Sequence, residues 1–251
     1  MSSALLEKIL AEAPKFHRGE TETQRTISAK DSFLNGLGFE NISRNLPACY
    51  GIDPAVARFL HDSVSEKSRT LETGSGISTV VFAMRQCCHI AITPNSSEVE
   101  NIRQYAAANQ ISMDRVEFVV ESSDKYLPRC ESKDLDLVLI DGKHAFPWPI
   151  IDWFYTADKL KKGGILVLDD LQMSSVAILR DFIVEDPRWQ STRPVARRTL
   201  IVEKIAESVH DVAWHMQPYI TRRYGRRARL LNALGLKRRS GEKPSRPDRK
   251  A

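Results

Sequence analysis

Leu71-Glu72-Thr73-Gly74-Ser75-Gly76-Ile77-Ser78-Thr79 is the stretch that decides the fold. A short strand-like run, Thr70–Glu72, precedes the two glycines, and a helix-length apolar segment, Ser78–Arg85, follows them. Strand, tight loop and helix are the reading. Gly74 and Gly76 let the backbone turn sharply and approach a ligand with no Cβ in the way. The unbonded N–H groups that open the next helix then suit a carboxylate, a phosphate or a polar hydroxyl. Spelling excludes two kinds of nucleotide loop. No Lys follows Gly76, as a phosphate loop of the GxxxxGK[ST] type requires. Thr79 stands where a dinucleotide fingerprint needs its third glycine, and no acid ends the second strand. An ordinary tight turn is the alternative.

Outward from this loop, short apolar runs alternate with amphipathic stretches, which is the texture of βα units around a parallel sheet. The further strands are His89–Thr93, Val116–Val120, Leu135–Ile140 and Ile165–Leu168. Helices are expected over Ser97–Asn109, with Ser97 and Glu100 at capping-box spacing, over Ile150–Leu160, stopped by Lys161-Lys162-Gly163-Gly164, and over Ser174–Val184. Two last runs, Trp189–Pro194 and Arg198–Lys204, are close enough to pair as an antiparallel hairpin, which makes seven strands. Residues 1 to about 62 read instead as helices and loops, with Asp53 as N-cap and Pro54 at the first helical position. Three segments follow: a helical extension (1–64) covering the pocket, a sheet domain (65–206) and a basic C-terminal helix and tail (207–251).

The chain has 251 residues, 42% of them hydrophobic and 27% charged, enough for one large domain or two small ones with a sizeable core. No apolar run nears the roughly 18 to 20 residues of a membrane helix. Glu7 and Lys8 interrupt the stretch a signal peptide would keep apolar, and Cys49, Cys87, Cys88 and Cys130 form no CxxC pair. A cytoplasmic protein with reduced, mostly buried thiols is expected. The net charge of +5 is uneven: Thr221–Ala251 holds 12 Lys or Arg against Glu242 and Asp248, which leaves the rest of the chain at −5. Tyr219–Arg239 suits a basic amphipathic helix, and Ser240–Ala251 a disordered end. The basic tail at 222–250 is either a solvated end or an electrostatic contact to an anionic membrane surface or RNA, which would make the protein peripheral at a membrane in the first of those cases.

Glu72-Thr-Gly-Ser-Gly-Ile-Ser-Thr79, then Leu139-Ile140-Asp141-Gly142-Lys143-His144, then Gly163-Gly164-Ile165-Leu166-Val167-Leu168-Asp169-Asp170, resemble in order and separation the motifs of class I S-adenosylmethionine-dependent methyltransferases of the small-molecule type. The resemblance covers residues 65 to 205. It implies a Rossmann-like, doubly wound, mostly parallel seven-stranded α/β sheet whose last strand is antiparallel, with the methyl donor across the strand carboxyl ends. It also implies a cofactor site of Glu72, Gly74, Ser75, Gly76, Ser78, Thr79, Thr93, Ser122, Ser123 and Asp141. Two positions depart from the family. Thr93 stands where an acid usually takes the ribose hydroxyls, and Ser122 where an acid lies near the adenine, with Glu121 or Asp124 as substitutes.

Asp141, Asp169 and Asp170 fall at strand carboxyl ends, where open α/β sheets place ligands. They form a candidate Mg2+ site, and the pattern resembles metal-dependent catechol-type O-methyltransferases; caps and turns are the alternative. Asp141 and His144 are the catalytic candidates, His144 as the base that takes a proton during transfer. Phe146, Trp148, Trp153 and Phe154 either wall an apolar acceptor pocket or form a core face. The leading functional expectation is methyl transfer from S-adenosylmethionine to an oxygen, less readily a nitrogen, of a small or glycosidic acceptor. The alternative is a methyltransferase-like binding module with a weakened donor site, acting through its basic tail.

Overall fold

The computed structural model describes residues 3–16, 51–192, 194–223 and 225. They fall into two compact units, Met1–His210 and Asp211–Ala251. The first unit carries the fold. Its elements are α1 (Ser3–Glu12), α2 (Pro54–Ser63), β1 (Arg69–Thr73), α3 (Ile77–Met84), β2 (Cys88–Ile92), α4 (Ser96–Ala108) and β3 (Val116–Val119). After these come α5 (Ser123–Tyr126), β4 (Leu135–Ile140), α6 (Trp148–Thr156), β5 (Leu160–Leu168), α7 (Ser174–Glu185), β6 (Trp189–Ser191) and β7 (Leu200–Lys204). In the second unit, residues 214–216 form a 3-10 turn and 218–223 are helical, as expected for the start of the basic segment. Cys49 and most of the tail at 222–250 lie outside the described residues.

The sheet has seven strands in the order β3-β2-β1-β4-β5-β7-β6. β1 to β5 run parallel, while β7 lies antiparallel to both β5 and β6. This is the Rossmann-like sheet with its inserted last strand. The order reverses between β1 and β4, the point where such sheets leave a crevice at their carboxyl ends.

Alternation along the strands assigns the two faces. Leu137, Leu139 and Val167 point to one core with residues of α1 to α4, including Ile9, Leu60, Phe82 and Ile102. Leu71, Val138, Ile140, Leu166 and Leu168 point to the other, under Trp153 of α6 and Val176, Leu179 and Ile183 of α7. The N-terminal helix is thus built into the same core as the sheet, through Leu6 and Ile9. Its exposed side adds a two-pronged Arg58–Glu7 pair to α2, both contacts at 2.7 Å.

Three local expectations change. Asn95, not Ser97, caps α4, its side-chain oxygen accepting the N–H groups of Ser97 and Glu98 at 3.1 and 3.2 Å. α6 ends at Thr156, and Lys161-Lys162-Gly163-Gly164 lies inside β5 rather than closing a helix. The reason is an irregularity in the β4–β5 ladder: Gly163 takes a φ of +81°, and a Cβ on Gly164 would come within 2.8 Å of the Lys161 carbonyl oxygen. Cys88 is exposed, its Sγ taking an N–H from Arg115 at 3.0 Å, whereas Cys87 and Cys130 are buried as expected. No described helix is long and apolar enough to cross a membrane.

Candidate active site

The glycine loop joins β1 to α3 at the switch point. Gly74 has a φ of +92°, and a Cβ there would lie 2.4 Å from the Asp141 carbonyl oxygen, so this position must be glycine. Backbone bonds from Gly74 N to Ile92 O (2.9 Å) and from Asp141 N to Thr73 O (3.0 Å) tie the loop to its two neighbouring strand ends. Gly76 differs: its φ of 167° is extended, and a Cβ would meet nothing within 4 Å. The space beside Gly76 is open.

Glu72 lies behind this space. Odd and even positions of β1 face opposite sides, so Glu72 points with Thr70 toward α3, where Thr79 donates its hydroxyl to Glu72 Oε1 and itself accepts Gly76 N–H at 3.0 Å. His89 on β2 completes the set, with Nε2 3.1 Å from Glu72 Oε1 and Nδ1 2.8 Å from Thr70 Oγ1, its ring stacked on Phe82 at 4.3 Å. Glu72, Ser78 and Thr79 are all buried, and the Glu72 and Thr79 side chains brace the loop through Gly76 N–H. No spacing in the sequence singles out His89, because its partnership with Glu72 exists only across β1 and β2.

Thr93 is also buried, its hydroxyl accepting Asn95 N–H at 3.3 Å. An acid the sequence reading passed over stands close by. Glu98, in the first turn of α4 and only 3% exposed, accepts a hydrogen bond from Ser75 Oγ in the glycine loop. Ser122 caps α5 without a side-chain bond, and Glu121 is held by Arg129. Beneath the loop on the other face, Asp152 of α6 is 1% exposed and faces the Ser123 and Thr73 hydroxyls. Burial lifts the Asp152 carboxyl to about 6 against the opposing pull of the Ser123 and Thr73 hydroxyls.

Acidic residues gather at the ends of β4 and β5. Asp141, His144 and Asp170 bring one ligand atom each within 4.8 Å of one another. His144 Nε2 is 3.0 Å from Asp170 Oδ2 and 4.0 Å from Asp141 Oδ1, with a quarter of its side chain exposed. Ser175 of α7 donates to the His144 carbonyl oxygen and holds its loop. Asp169, expected beside Asp141 and Asp170 in a metal set, is buried and faces Thr199 Oγ1 (2.6 Å) and Arg198 Nη2 (3.5 Å) instead. Burial pushes the Asp141 carboxyl well up, reinforced by Asp169, Asp170 and Glu72 and opposed by Arg198. For Asp170 burial acts upward too, but bonds from His144 and Gln172 and the charges of His144 and Arg198 outweigh it and hold the group low. The site therefore sets a carboxyl shifted upward beside one shifted downward next to an imidazole. The aromatic cluster divides: Trp153 is buried against Phe182, Phe146 and Phe154 are exposed, and Lys143 sits 3.5 Å over the Trp148 ring.

Residues 71–171 match a family model described as a methyltransferase domain. No curated protein matches the chain. Among solved structures, the cofactor-bound protein Rv0187 from MTB is similar, with 18% identity and a TM-score of 0.54 over 76% of this chain and 98% of its own. The O-methyltransferase TomG from Streptomyces achromogenes, solved in complex with SAM, has 15% identity and a TM-score of 0.53 over 70% and 91%. A putative caffeoyl-CoA O-methyltransferase from Staphylococcus aureus has 14% identity and a TM-score of 0.54 over 74% and 99%. With the glycine loop, the sheet order and the strand-end carboxylates already in place, residues 71–171 carry the match to a methyltransferase domain on a Rossmann-like seven-stranded sheet.

Proposed function

We propose that the protein transfers a methyl group to a hydroxyl oxygen of a small or glycosidic acceptor, with His144 as the base. The observation that carries this is the half-open His144 ring, oriented by Asp170 at 3.0 Å on the carboxyl side of the sheet, one loop away from the donor cradle. S-adenosylmethionine supplies a methyl group already activated on a sulfonium, so the protein's work is orientation and proton removal. His144 takes the hydroxyl proton as the acceptor oxygen gains the methyl. The exposed Phe146, two residues beyond His144, offers an apolar wall for the acceptor. TomG and the Staphylococcus aureus protein, both named as O-methyltransferases, favour oxygen over nitrogen.

The donor is held by the backbone of Gly74, Ser75 and Gly76, by Asp141, and by the Ser122–Ser123 turn. Glu98 supplies the carboxylate for the ribose hydroxyls that Thr93 cannot provide, with Ser75 Oγ marking the place of a bound hydroxyl in the free protein. The Mg2+ expected at Asp141, Asp169 and Asp170 fits the observed pairing poorly, because Asp169 and Asp170 already face Thr199, Arg198, Gln172 and His144. Gly51 lies on the acceptor side, where its carbonyl oxygen accepts from Arg198 at the site's edge.

Methyl transfer from labelled S-adenosylmethionine to phenols, alkyl glycosides and matched amines tests the reading. Transfer to a hydroxyl that is lost in His144→Ala supports it. Transfer to amines and to no hydroxyl overturns the choice of oxygen, and failure of the folded wild type to bind S-adenosylhomocysteine overturns the donor site.

A further inference from the structure

The acidic end of the sheet contains its own cation. Arg198 and Thr199 immediately precede β7, whose antiparallel register pairs Leu200 with Leu168 at the end of β5. That register places Thr199 and Arg198 alongside Asp169 and Asp170, where the chain leaves the sheet after β5 and re-enters it at β7. A bond from Leu171 N to Arg198 O (2.8 Å) fastens the crossing. The guanidinium then spans both acids: Nη1 is 3.3 Å from Asp170 Oδ1 and Nη2 is 3.5 Å from Asp169 Oδ2. Nη2 also donates to the Gly51 carbonyl oxygen, which fixes the fork from the far side.

All four carboxylate oxygens of the Asp169–Asp170 pair consequently face a donor. Asp169 Oδ1 has Thr199 (2.6 Å) and Oδ2 has Arg198. Asp170 Oδ1 has Gln172 (2.7 Å) and Arg198, and Oδ2 has His144 (3.0 Å). A divalent ion such as Mg2+ needs oxygen lone pairs turned toward a common centre at about 2.1 Å. Here those lone pairs are turned toward a planar, permanently charged and weakly hydrated group, which is the partner best suited to successive carboxylates. In the remaining trio, Asp141, His144 and Asp170, an ion would have to displace the proton shared by His144 Nε2 and Asp170 Oδ2 and sit against the Arg198 charge.

We propose that Arg198 stands in for a divalent metal at this site, as the fixed cation that positions Asp170 and, through it, the His144 ring, and that methyl transfer here is independent of metal. This rests on the methyl-transfer reading for its consequence but not for its test, since metal binding can be measured without any reaction. Arg198 is a positioning residue: it touches the acids, not the reacting atoms.

The probe is Mn2+ alone, followed by its paramagnetic resonance signal and by thermal melting at matched ionic strength, on the full chain and on Arg198→Gln. The wild type is expected to bind no Mn2+ at sub-millimolar concentration, and a chelator is expected to change donor affinity by less than about twofold. Arg198→Gln, which uncovers the carboxylates, is expected to gain a Mn2+ site and a melting temperature that rises with Mn2+. A role confined to stability would lower the melting temperature of the variant without creating that site. Sub-millimolar Mn2+ binding by the wild type, or a folded Arg198→Gln that binds none, overturns the proposal. Should the variant not fold, the wild-type measurement decides alone: metal insensitivity supports the assignment and binding refutes it.

Discussion

The two loop glycines make a paired experiment, because the structure assigns them opposite reasons to be glycine. In Gly74→Ala the new Cβ would stand 2.4 Å from the Asp141 carbonyl oxygen, on a backbone at φ +92°. An L-residue held in the left-handed region loses about 1–2 kcal/mol. Relief of the clash must pull the loop from β4 and strain the Asp141 N to Thr73 O bond (3.0 Å), a further loss of about 1 kcal/mol. The expected total is about 2–3 kcal/mol, or a fall in Tm of roughly 4–12 °C for a domain of this size. Gly76→Ala meets no atom within 4 Å and keeps an extended φ, so its stability should change by less than about 0.5 kcal/mol. Its methyl group would instead enter the donor cradle and weaken S-adenosylhomocysteine binding by roughly tenfold or more. Urea denaturation gives the first quantity and calorimetric titration the second. Equal destabilisation by both variants, or a Gly76→Ala protein that binds the donor as well as the wild type, would refute this division of roles.

Glu98→Gln should weaken S-adenosylhomocysteine binding by about tenfold or more, the size of a lost charge-assisted bond. A 2′-deoxy analogue should then bind both proteins alike; an analogue that still discriminates between them would remove Glu98 from the ribose. Asp152 is expected to cost stability at neutral pH. Its folded pKa of about 6 lies above an unfolded value of about 3.9, so the unfolded chain loses its proton first and stability falls as pH rises between those values. Asp152→Asn should flatten that fall and be more stable than the wild type by about 3 kcal/mol above pH 7. Parallel denaturation curves for the two proteins across that pH range would contradict it. His144→Ala should lower kcat by about two orders of magnitude while leaving donor affinity within about twofold, as measured by single-turnover methyl transfer and titration. A loss confined to donor affinity would move His144 from proton transfer to binding.

Much of this architecture is written locally. The strands β1 to β4 fall within a residue of the runs read from alternation, because side-chain period and glycine punctuation act over a few residues. Asp53 and Pro54 open α2 as their chemistry requires, with Asp53 Oδ1 accepting Ala55 N–H at 2.8 Å. The hairpin of β6 and β7 was likewise legible, since the two runs are too close in sequence for a crossover, while the antiparallel insertion of the last strand was what the family resemblance implied. The stretch Lys161-Lys162-Gly163-Gly164 misled for a local reason too. Glycines that stop a helix serve equally to kink a strand, and only the β4 ladder distinguishes the two uses.

The site divides along the same line. Residue types alone marked Gly74, Gly76, Asp141 and His144, because a tight turn with φ above zero and a polar group at a strand end have few spellings. What each carboxylate faces was not in the spelling. Asp169 and Asp170 read as equivalent neighbours, yet one is buried against Thr199 and the other orients His144. Glu98, His89 and Arg198 carried no motif, since each matters through a partner 17 to 29 residues away: Ser75, Glu72 and the Asp169 carboxylate. Period and turn chemistry are properties of adjacent residues, and they determined the sheet and its glycine loop from the chain alone. Pairing of charges depends on strand register and on which face of the sheet a side chain meets, and those distances exist only once the chain has folded.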